Sequence, residues 1–231
     1  MLEAINLTKR YGGHEALSDL NLCVAQGEIF CLLGQNGAGK TTTINIFLGL
    51  IAATSGKALI NGIEVKHNLN ATSKMIAYIP EVVQLYGNLS GTENLDFFCR
   101  IAGFRYTAQE LATYLLKAGL QEDAHTKKLA SYSKGMRQKV GIAIALSKNA
   151  DFIFMDEPIS GLDPKATVEF TAICKELSRM GKSIFMATHD IFNAVNVGTK
   201  IGIMKEGKLV YTAPTNTINA NELQDLYLKT I

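Results

Sequence analysis

The sequence lacks several residues and patterns that mark particular classes of protein. Its 231 residues include no Trp, only four Pro and only four Cys. The cysteines are far apart, form no CxxC pair and lie in apolar or helical stretches. This favours buried, reduced thiols over a metal site or a disulfide framework. No window approaches the roughly 18 consecutive apolar residues that a membrane span requires.

The charge pattern gives no reason to expect a nucleic-acid partner. The net charge is only +2, and Lys and Arg are scattered without a long basic run. The first ten residues, MLEAINLTKR, contain no apolar core behind a basic start, so we expect no signal peptide. If the protein serves a membrane process, we therefore expect the membrane-spanning part in another chain.

Alternating strand and helix patterns predict a single α/β domain. Asn61-Gly62 lies between the strand-like triplets ALI and IEV, which is a strong hairpin signal. A helical pattern runs over about 92–119. The final residues, from about 212, have the pattern of a turn and a short helix. Strands are predicted over 2–7, 16–24, 28–33, 152–155, 183–187 and 200–204, and a further helix over 164–180.

This order of elements predicts one domain over residues 1–231. We expect a mainly parallel core sheet, an N-terminal antiparallel β subdomain and a helical insertion at about 85–147.

A phosphate-binding loop is predicted at residues 34–41, which match G-x-x-x-x-G-K-[ST] at every defined position. The motif follows an apolar strand and opens a helix expected over about 40–50. Glycines let backbone N–H groups approach phosphate oxygens, and the helix N-terminus favours an anion. Lys40 is expected to neutralise the β- and γ-phosphates, and Thr41 to ligate Mg²⁺ through its hydroxyl. The predicted nucleotide-binding residues here are Gly34, Gln35, Asn36, Gly37, Ala38, Gly39, Lys40, Thr41 and Thr42.

A second motif consists of the apolar run 152–155 followed by Asp156 and Glu157. A buried strand that ends in Asp places the carboxylate beside the phosphate loop, where it can hold Mg²⁺ through water. Glu157 can then act as a general base, or orient the attacking water, at the γ-phosphate. The plain alternative is an acidic strand end that faces solvent. The phosphate loop and the next residues, PISGLD, argue against it.

With these motifs in place, the sequence resembles the ATP-binding subunits of ABC transporters over its whole length. Residues 34–41 are similar to the family's Walker A motif, and 152–157 to its Walker B motif with the catalytic glutamate. Residues 160–163, SGLD, resemble the D-loop. His189 matches the switch histidine, and Tyr11 matches the aromatic residue that stacks on adenine. The resemblance implies a P-loop NTPase fold of the ABC type, with Glu157, His189 and Lys40 as catalytic residues.

Residues 132–138, YSKGMRQ, stand where the family has its LSGGQ signature. Ser133 is expected to cap the helix that follows, whose N-terminus favours an anion. The resemblance implies that Ser133 and Gly135 close over the γ-phosphate bound to a second ATP-binding subunit. It also implies that Asp163 links the two active sites. We therefore expect a head-to-tail dimer that encloses two ATP molecules, as a homodimer, with a heterodimer left open.

The sequence departs from the family pattern in two places. In the signature, Lys134 replaces a glycine and Met136 replaces glutamine. In the Q-loop, Glu81 follows the proline where the general family has Gln. A glutamate can still ligate Mg²⁺ or water, so we count Glu81 among the cofactor-binding residues. Both variants resemble export-type bacterial ATPases that pair with separate membrane subunits. The predicted metal ligands are Thr41, Asp156 and Glu81.

The resemblance implies an ATPase that powers transport, with export favoured, through a separate transmembrane permease. ATP and Mg²⁺ are the expected cofactors, and the cytoplasmic face of the cell membrane is the expected location. An alternative is a soluble ABC-type ATPase that acts in an assembly or repair complex. A monomeric P-loop kinase is disfavoured because the signature and Asp163 have no role there. A non-hydrolysing binder is disfavoured because Glu157 is present.

Overall fold

The computed structural model describes residues 1–230; residue 231, the last of the predicted domain, lies outside the described residues. Strands and helices alternate along the chain as predicted. The strands are β1 (Leu2–Tyr11), β2 (His14–Val24), β3 (Ile29–Leu33), β4 (Ser55–Ile60), β5 (Ile63–Glu64), β6 (Ile76–Ile79), β7 (Phe152–Asp156), β8 (Ser183–Thr188), β9 (Lys200–Lys205) and β10 (Lys208–Pro214). The helices are α1 (Lys40–Phe47), α2 (Leu69–Met75), α3 (Gly91–Ile101), α4 (Ala108–Lys117), α5 (Glu122–His125), α6 (Lys134–Ser147), α7 (Pro164–Arg179), α8 (Ile191–Val197) and α9 (Ala220–Thr230).

The N-terminal strands form an antiparallel sheet in the order β2-β1-β4-β5. The predicted hairpin joins β4 to β5, with Leu59 paired to Glu64 and Ile60 to Ile63. Its two turn residues have positive φ, 50° at Asn61 and 77° at Gly62, which is the geometry that an Asn-Gly turn favours. The predicted antiparallel subdomain is confirmed.

The second sheet has the order β10-β9-β3-β8-β7-β6. All neighbouring strands from β9 to β6 run parallel, and β10 is added antiparallel at one edge. Every residue of β3 and β8 is buried, because the sheet is covered on both faces. Alternate side chains enter two cores. Phe30, Phe154 and Phe185 pack toward the antiparallel sheet, whereas Cys31 and Met186 pack toward the helices.

The helical pattern predicted over 92–119 forms two helices, α3 and α4, with a break at Gly103, where φ is 87°. Capping boxes at Ser90/Glu93 and Thr107/Glu110 start the two helices separately. The tail from 212 was expected to begin as a turn, but residues 212–214 complete β10 before α9.

One further expectation is corrected: Cys23 is exposed, whereas Cys31, Cys99 and Cys174 are buried as predicted. Within residues 1–230, none of the helices combines the length and the apolar character needed to cross a bilayer.

The parallel register brings the predicted motifs to one edge of the core sheet. Leu33 pairs with Thr188, and Asp156 pairs with Ala187. The loops that leave β3, β7 and β8 therefore emerge side by side. In an open parallel sheet this carboxyl edge is where ligands bind.

Candidate functional site

The phosphate loop is packed so closely that two of its glycines, Gly34 and Gly39, leave no room for a side chain. A Cβ atom at Gly39, where φ is 109°, would lie 2.6 Å from the Ala16 carbonyl oxygen, and one at Gly34 would lie 2.7 Å from that of Met204. Larger side chains would therefore push the loop away from β2 and β9. This packing fixes the loop between β3 and α1.

Lys40 is held inside the loop. Its ammonium donates hydrogen bonds to the carbonyl oxygens of Gly34 at 2.6 Å and Gln35 at 3.2 Å, and the residue is 6% exposed. Burial lowers the pKa of Lys40, and the charges of Glu157 and Asp156 oppose that shift. The loop thus places a cation next to two carboxylates at the start of α1.

Thr41, at the start of α1, and Asp156, at the end of β7, bring two side-chain oxygens together. The Thr41 hydroxyl donates to Asp156 Oδ2 at 2.8 Å. Burial raises the pKa of Asp156, the Thr41 hydrogen bond opposes this, and the Glu157 charge adds to it. Paired hydroxyl and carboxylate oxygens suit a hard divalent cation, whose charge would also stabilise the ionised Asp156. The donor set fits Mg²⁺.

Glu157 begins the segment after β7 with a left-handed backbone, φ 45°. Its N–H donates to the Ala187 carbonyl at 2.9 Å, which ties it to β8. Its carboxylate Oε2 lies 2.9 Å from Nδ1 of His189, whose side chain is 63% exposed. The two residues predicted to act on the attacking water are therefore in contact.

Most of the predicted nucleotide-site residues line one cleft of about 380 Å³, whereas Gly34, Ala38 and His189 do not line it. At its rim Tyr11 is 48% exposed, and the Lys9 ammonium lies 4.8 Å from the Tyr11 ring centroid while donating to the Ala52 carbonyl at 2.7 Å. His14 also lies at this rim and was not predicted from the sequence. The glycine pair between Tyr11 and His14 indicates a tight turn, which would bring the two side chains to the same place. The cleft is lined by Tyr11, His14, Ala16, Gln35, Asn36, Gly37, Gly39, Lys40, Thr41, Thr42, Glu81, Asp156 and Glu157.

The signature residues lie on a different surface of the same chain. Ser133 caps α6 by accepting a hydrogen bond from the Met136 N–H at 3.2 Å. Asp163 caps α7 by accepting one from the Ala166 N–H at 2.9 Å. Together with Gly135 they line a second cavity of about 370 Å³. None of the three lines the phosphate-loop cleft.

Glu81 lines the cleft, but its carboxylate is also engaged. Its Oε1 accepts a hydrogen bond from the Ser160 hydroxyl at 3.0 Å. The Ser160 carbonyl in turn accepts one from the Lys134 ammonium. No motif signalled this chain of contacts, because it depends on side-chain directions between distant segments.

Comparison with known proteins gives one consistent result. Residues 17–160 match the family model described as ABC transporter. The probable multidrug ABC transporter ATP-binding protein YbhF of Escherichia coli (strain K12) is 33% identical over 230 residues, covering 97% of this chain and 39% of that protein. The bacitracin transport ATP-binding protein BcrA of Bacillus licheniformis is 37% identical over 216 residues, covering 93% of this chain and 70% of that protein.

Among solved structures, the dimeric post-hydrolysis state of the ATP-binding cassette MJ0796 with ADP and Pi is similar. It aligns with a TM-score of 0.81 and 28% identity, covering 93% of this chain and 99% of that one. The chain thus spans nearly the whole of a solved cassette, but only about two fifths of the length of YbhF.

Proposed function

Because the chain belongs to the ABC transporter family, as an ATP-binding cassette of the P-loop ATPase type, we propose that it binds and hydrolyses ATP to power transport through a separate membrane-spanning subunit. One observation carries this proposal: the phosphate loop, the Thr41–Asp156 pair and Glu157 line a single cleft, and His189 contacts Glu157. Phosphoryl transfer to water needs a cation, a divalent-metal site and a base close to the γ-phosphate, and this cleft has a candidate for each.

Each residue has a distinct task in this mechanism. Lys40 and the loop N–H groups hold the β- and γ-phosphates. Glu157 accepts or orients the proton of the attacking water, and His189 orients Glu157 and the γ-phosphate. Thr41 and Asp156 would hold Mg²⁺, which would supply positive charge to offset that of the transferring phosphoryl group. Tyr11 provides a half-exposed ring for the adenine base.

The working assembly is a head-to-tail dimer. Ser133, Gly135 and Asp163 lie outside the phosphate-loop cleft of their own chain, so a second copy brings its α6 N-terminus to that cleft. The capped helix offers N–H groups and a positive dipole to the γ-phosphate. The similar cassette MJ0796 is a dimer in its post-hydrolysis state, which supports this arrangement.

An exposed aromatic cluster suits the docking of the membrane subunit. Tyr86 is 48% exposed, and its ring lies 4.9 Å from that of Phe97, which lies 5.4 Å from that of Phe98. Buried Asn94 fixes the backbone of Tyr86 through hydrogen bonds at 2.8 and 3.0 Å. An apolar cluster that reaches the surface is typical of a contact surface. Glu81 lies five residues before Tyr86 in the same loop and lines the cleft.

The relatives reported above are named as transporter subunits. Their names support a transporter over the soluble assembly or repair ATPase, and the words multidrug and bacitracin support export. The proposed location is the cytoplasmic face of the membrane, where the chain is held by its partner.

The test is copurification of a tagged Glu157→Gln variant from its native host, with ATP present during gentle solubilisation. We expect a stoichiometric protein with several membrane spans. Adding Tyr86→Ser should release it, whereas adding Leu228→Ser, an exposed residue on α9, should not. Recovery of the tagged protein alone, or with a cytosolic assembly, would contradict the transporter role and leave the ATPase assignment standing.

A further inference from the structure

Two of the three residues that depart from the family pattern, Lys134 and Glu81, contact the same residue, Ser160. The Lys134 ammonium donates to the Ser160 main-chain carbonyl, and the Ser160 hydroxyl donates to Glu81 Oε1 at 3.0 Å. Lys134 is 26 residues and Glu81 is 79 residues from Ser160 in the chain. A cation from α6 and an anion from the loop after β6 thus hold Ser160 from two sides.

The segment held in this way, residues 157–163, carries catalytic and dimer-contact groups. It begins at Glu157 and ends at Asp163, and the Ser160 N–H donates to the Glu157 carbonyl at 3.1 Å. Its backbone has positive φ at Glu157 (45°) and at Gly161 (68°). A non-glycine residue with positive φ persists only where its surroundings hold it. The position of the Glu157 carboxylate therefore depends on contacts along this segment.

Helix α6 supplies two of those contacts from one face. Lys134 and Gln138 are four residues apart, so their side chains leave the helix in the same direction. Gln138 is 1% exposed, and its Nε2 donates to the Pro158 carbonyl at 3.1 Å and to the Glu81 carbonyl at 3.3 Å. Two carbonyls of the segment are thus bound by consecutive turns of α6. A glycine at position 134 would remove the outer contact.

We propose that Lys134 is a positioning residue that acts through Ser160, paired with Glu81, to fix residues 157–163 and thereby the Glu157 carboxylate. The proposal rests on the proposed ATPase function. Each of the two residues supplies one side of the same anchor at Ser160.

Steady-state ATPase kinetics provide the first test. Lys134→Met removes the hydrogen-bond donor and keeps a long side chain. Because positioning of Glu157 acts on the chemical step, we expect kcat to fall about tenfold and KM for ATP to change less than about twofold. Lys134→Arg should restore kcat. Lys117→Met, an exposed residue on α4, is the matched control and should not change kcat.

Non-additivity is the second part of the same test. Ser160→Ala removes the hydroxyl contact with Glu81, and we expect it to lower kcat. If Lys134 and Glu81 hold one segment, the Lys134→Met/Ser160→Ala variant should be scarcely slower than the worse single variant. Fully additive losses, or a Lys134→Met effect confined to KM, would overturn the proposal by pointing to direct nucleotide contact.

Hydrogen exchange of the nucleotide-free protein tests the anchor without hydrolysis. Backbone amides of residues 159–163 should exchange faster in Lys134→Met and Ser160→Ala, and at the wild-type rate in Lys117→Met. Unchanged exchange in Lys134→Met would overturn the proposal. A wild-type protein without ATPase activity would refute the proposed function instead, and the exchange experiment would still decide whether Lys134 anchors the segment.

Discussion

Glu157 has a conformation that the rest of the site maintains. A positive φ is uncommon for a residue other than glycine, yet Glu157 adopts 45° there, with its N–H bound to β8 and its carboxylate beside His189. Only 14% of its side chain is exposed. These contacts direct the carboxylate toward the phosphate loop, where the attacking water must be held.

At the residue scale, Glu157→Gln is expected to retain ATP binding and to lose turnover by about 100-fold or more, since an amide cannot accept the proton. Its ATP-bound dimer should accumulate. ATPase assays and size-exclusion chromatography with ATP measure both effects. The matched control is Glu122→Gln, an exposed residue on α5, which should hydrolyse ATP normally. A wild-type rate in Glu157→Gln would show that another group is the base.

Motif reasoning identifies residues whose roles follow from local sequence. Lys40, Thr41 and Asp156 could be predicted because the phosphate loop and the strand that ends in Asp each have a defined backbone geometry. The contacts that Ser160 makes with Lys134 and Glu81 could not be predicted. They join three segments whose relative placement is set by tertiary packing, and neither Lys134 nor Glu81 follows the family pattern. The functional roles of all these residues stay predictions.

The N-terminus of α6 combines structural and electrostatic roles. The Ser133 side chain satisfies the Met136 N–H, and the helix that it starts runs for 14 residues. Asp, Asn and Ser cap helices about equally well. Charge at this position can therefore be changed with little effect on the fold.

At the element scale, Ser133→Asp is expected to change the free energy of unfolding by less than about 0.5 kcal/mol because the cap is preserved. A carboxylate there repels the γ-phosphate, so ATP-dependent dimerisation and turnover should be lost. Ser133→Asn is the matched neutral control and should keep more of both. Thermal unfolding and size-exclusion chromatography with ATP give the two readouts. Normal dimerisation of the Asp variant would mean that this helix end does not face a phosphate.

Elements with strong local signals were the predictable part of the fold. The Asn61-Gly62 turn and the apolar strands β3, β7 and β8 could be predicted because local chemistry and burial on both faces agree there. The exact position of the break between α3 and α4 could not, since the apolar pattern resumes in α4 with similar spacing. Edge strand β10 was only partly predictable because it is half-exposed and ends in Pro214.

The whole molecule presents the parts of its proposed active site on two separate surfaces. The cleft with Lys40 and Glu157 and the cavity with Ser133 and Asp163 share no lining residue. Each proposed site combines the cleft of one copy with the α6 surface of the other. A copy with a defect in one of these parts can therefore still contribute its intact part to a partner's site. This distinguishes the dimer from a chain that completes its own site.

Mixing two inactive variants tests this arrangement. Lys40→Ala lacks the phosphate-loop cation and Ser133→Asp blocks the helix end, so each alone is expected to be inactive. In a mixed head-to-tail dimer, one site carries both defects and the other carries none. In an equal mixture about half of all chain encounters join unlike chains, and each such pair has one intact site of two. Activity should therefore rise to at most about one quarter of wild type if the two sites act independently. The measurement is ATPase activity against mixing ratio, with Lys40→Ala mixed with Lys40→Ala/Ser133→Asp as the control that creates no intact site. No recovery in the first mixture, although pull-down shows mixed dimers, would mean that both sites must be intact or that each chain completes its own.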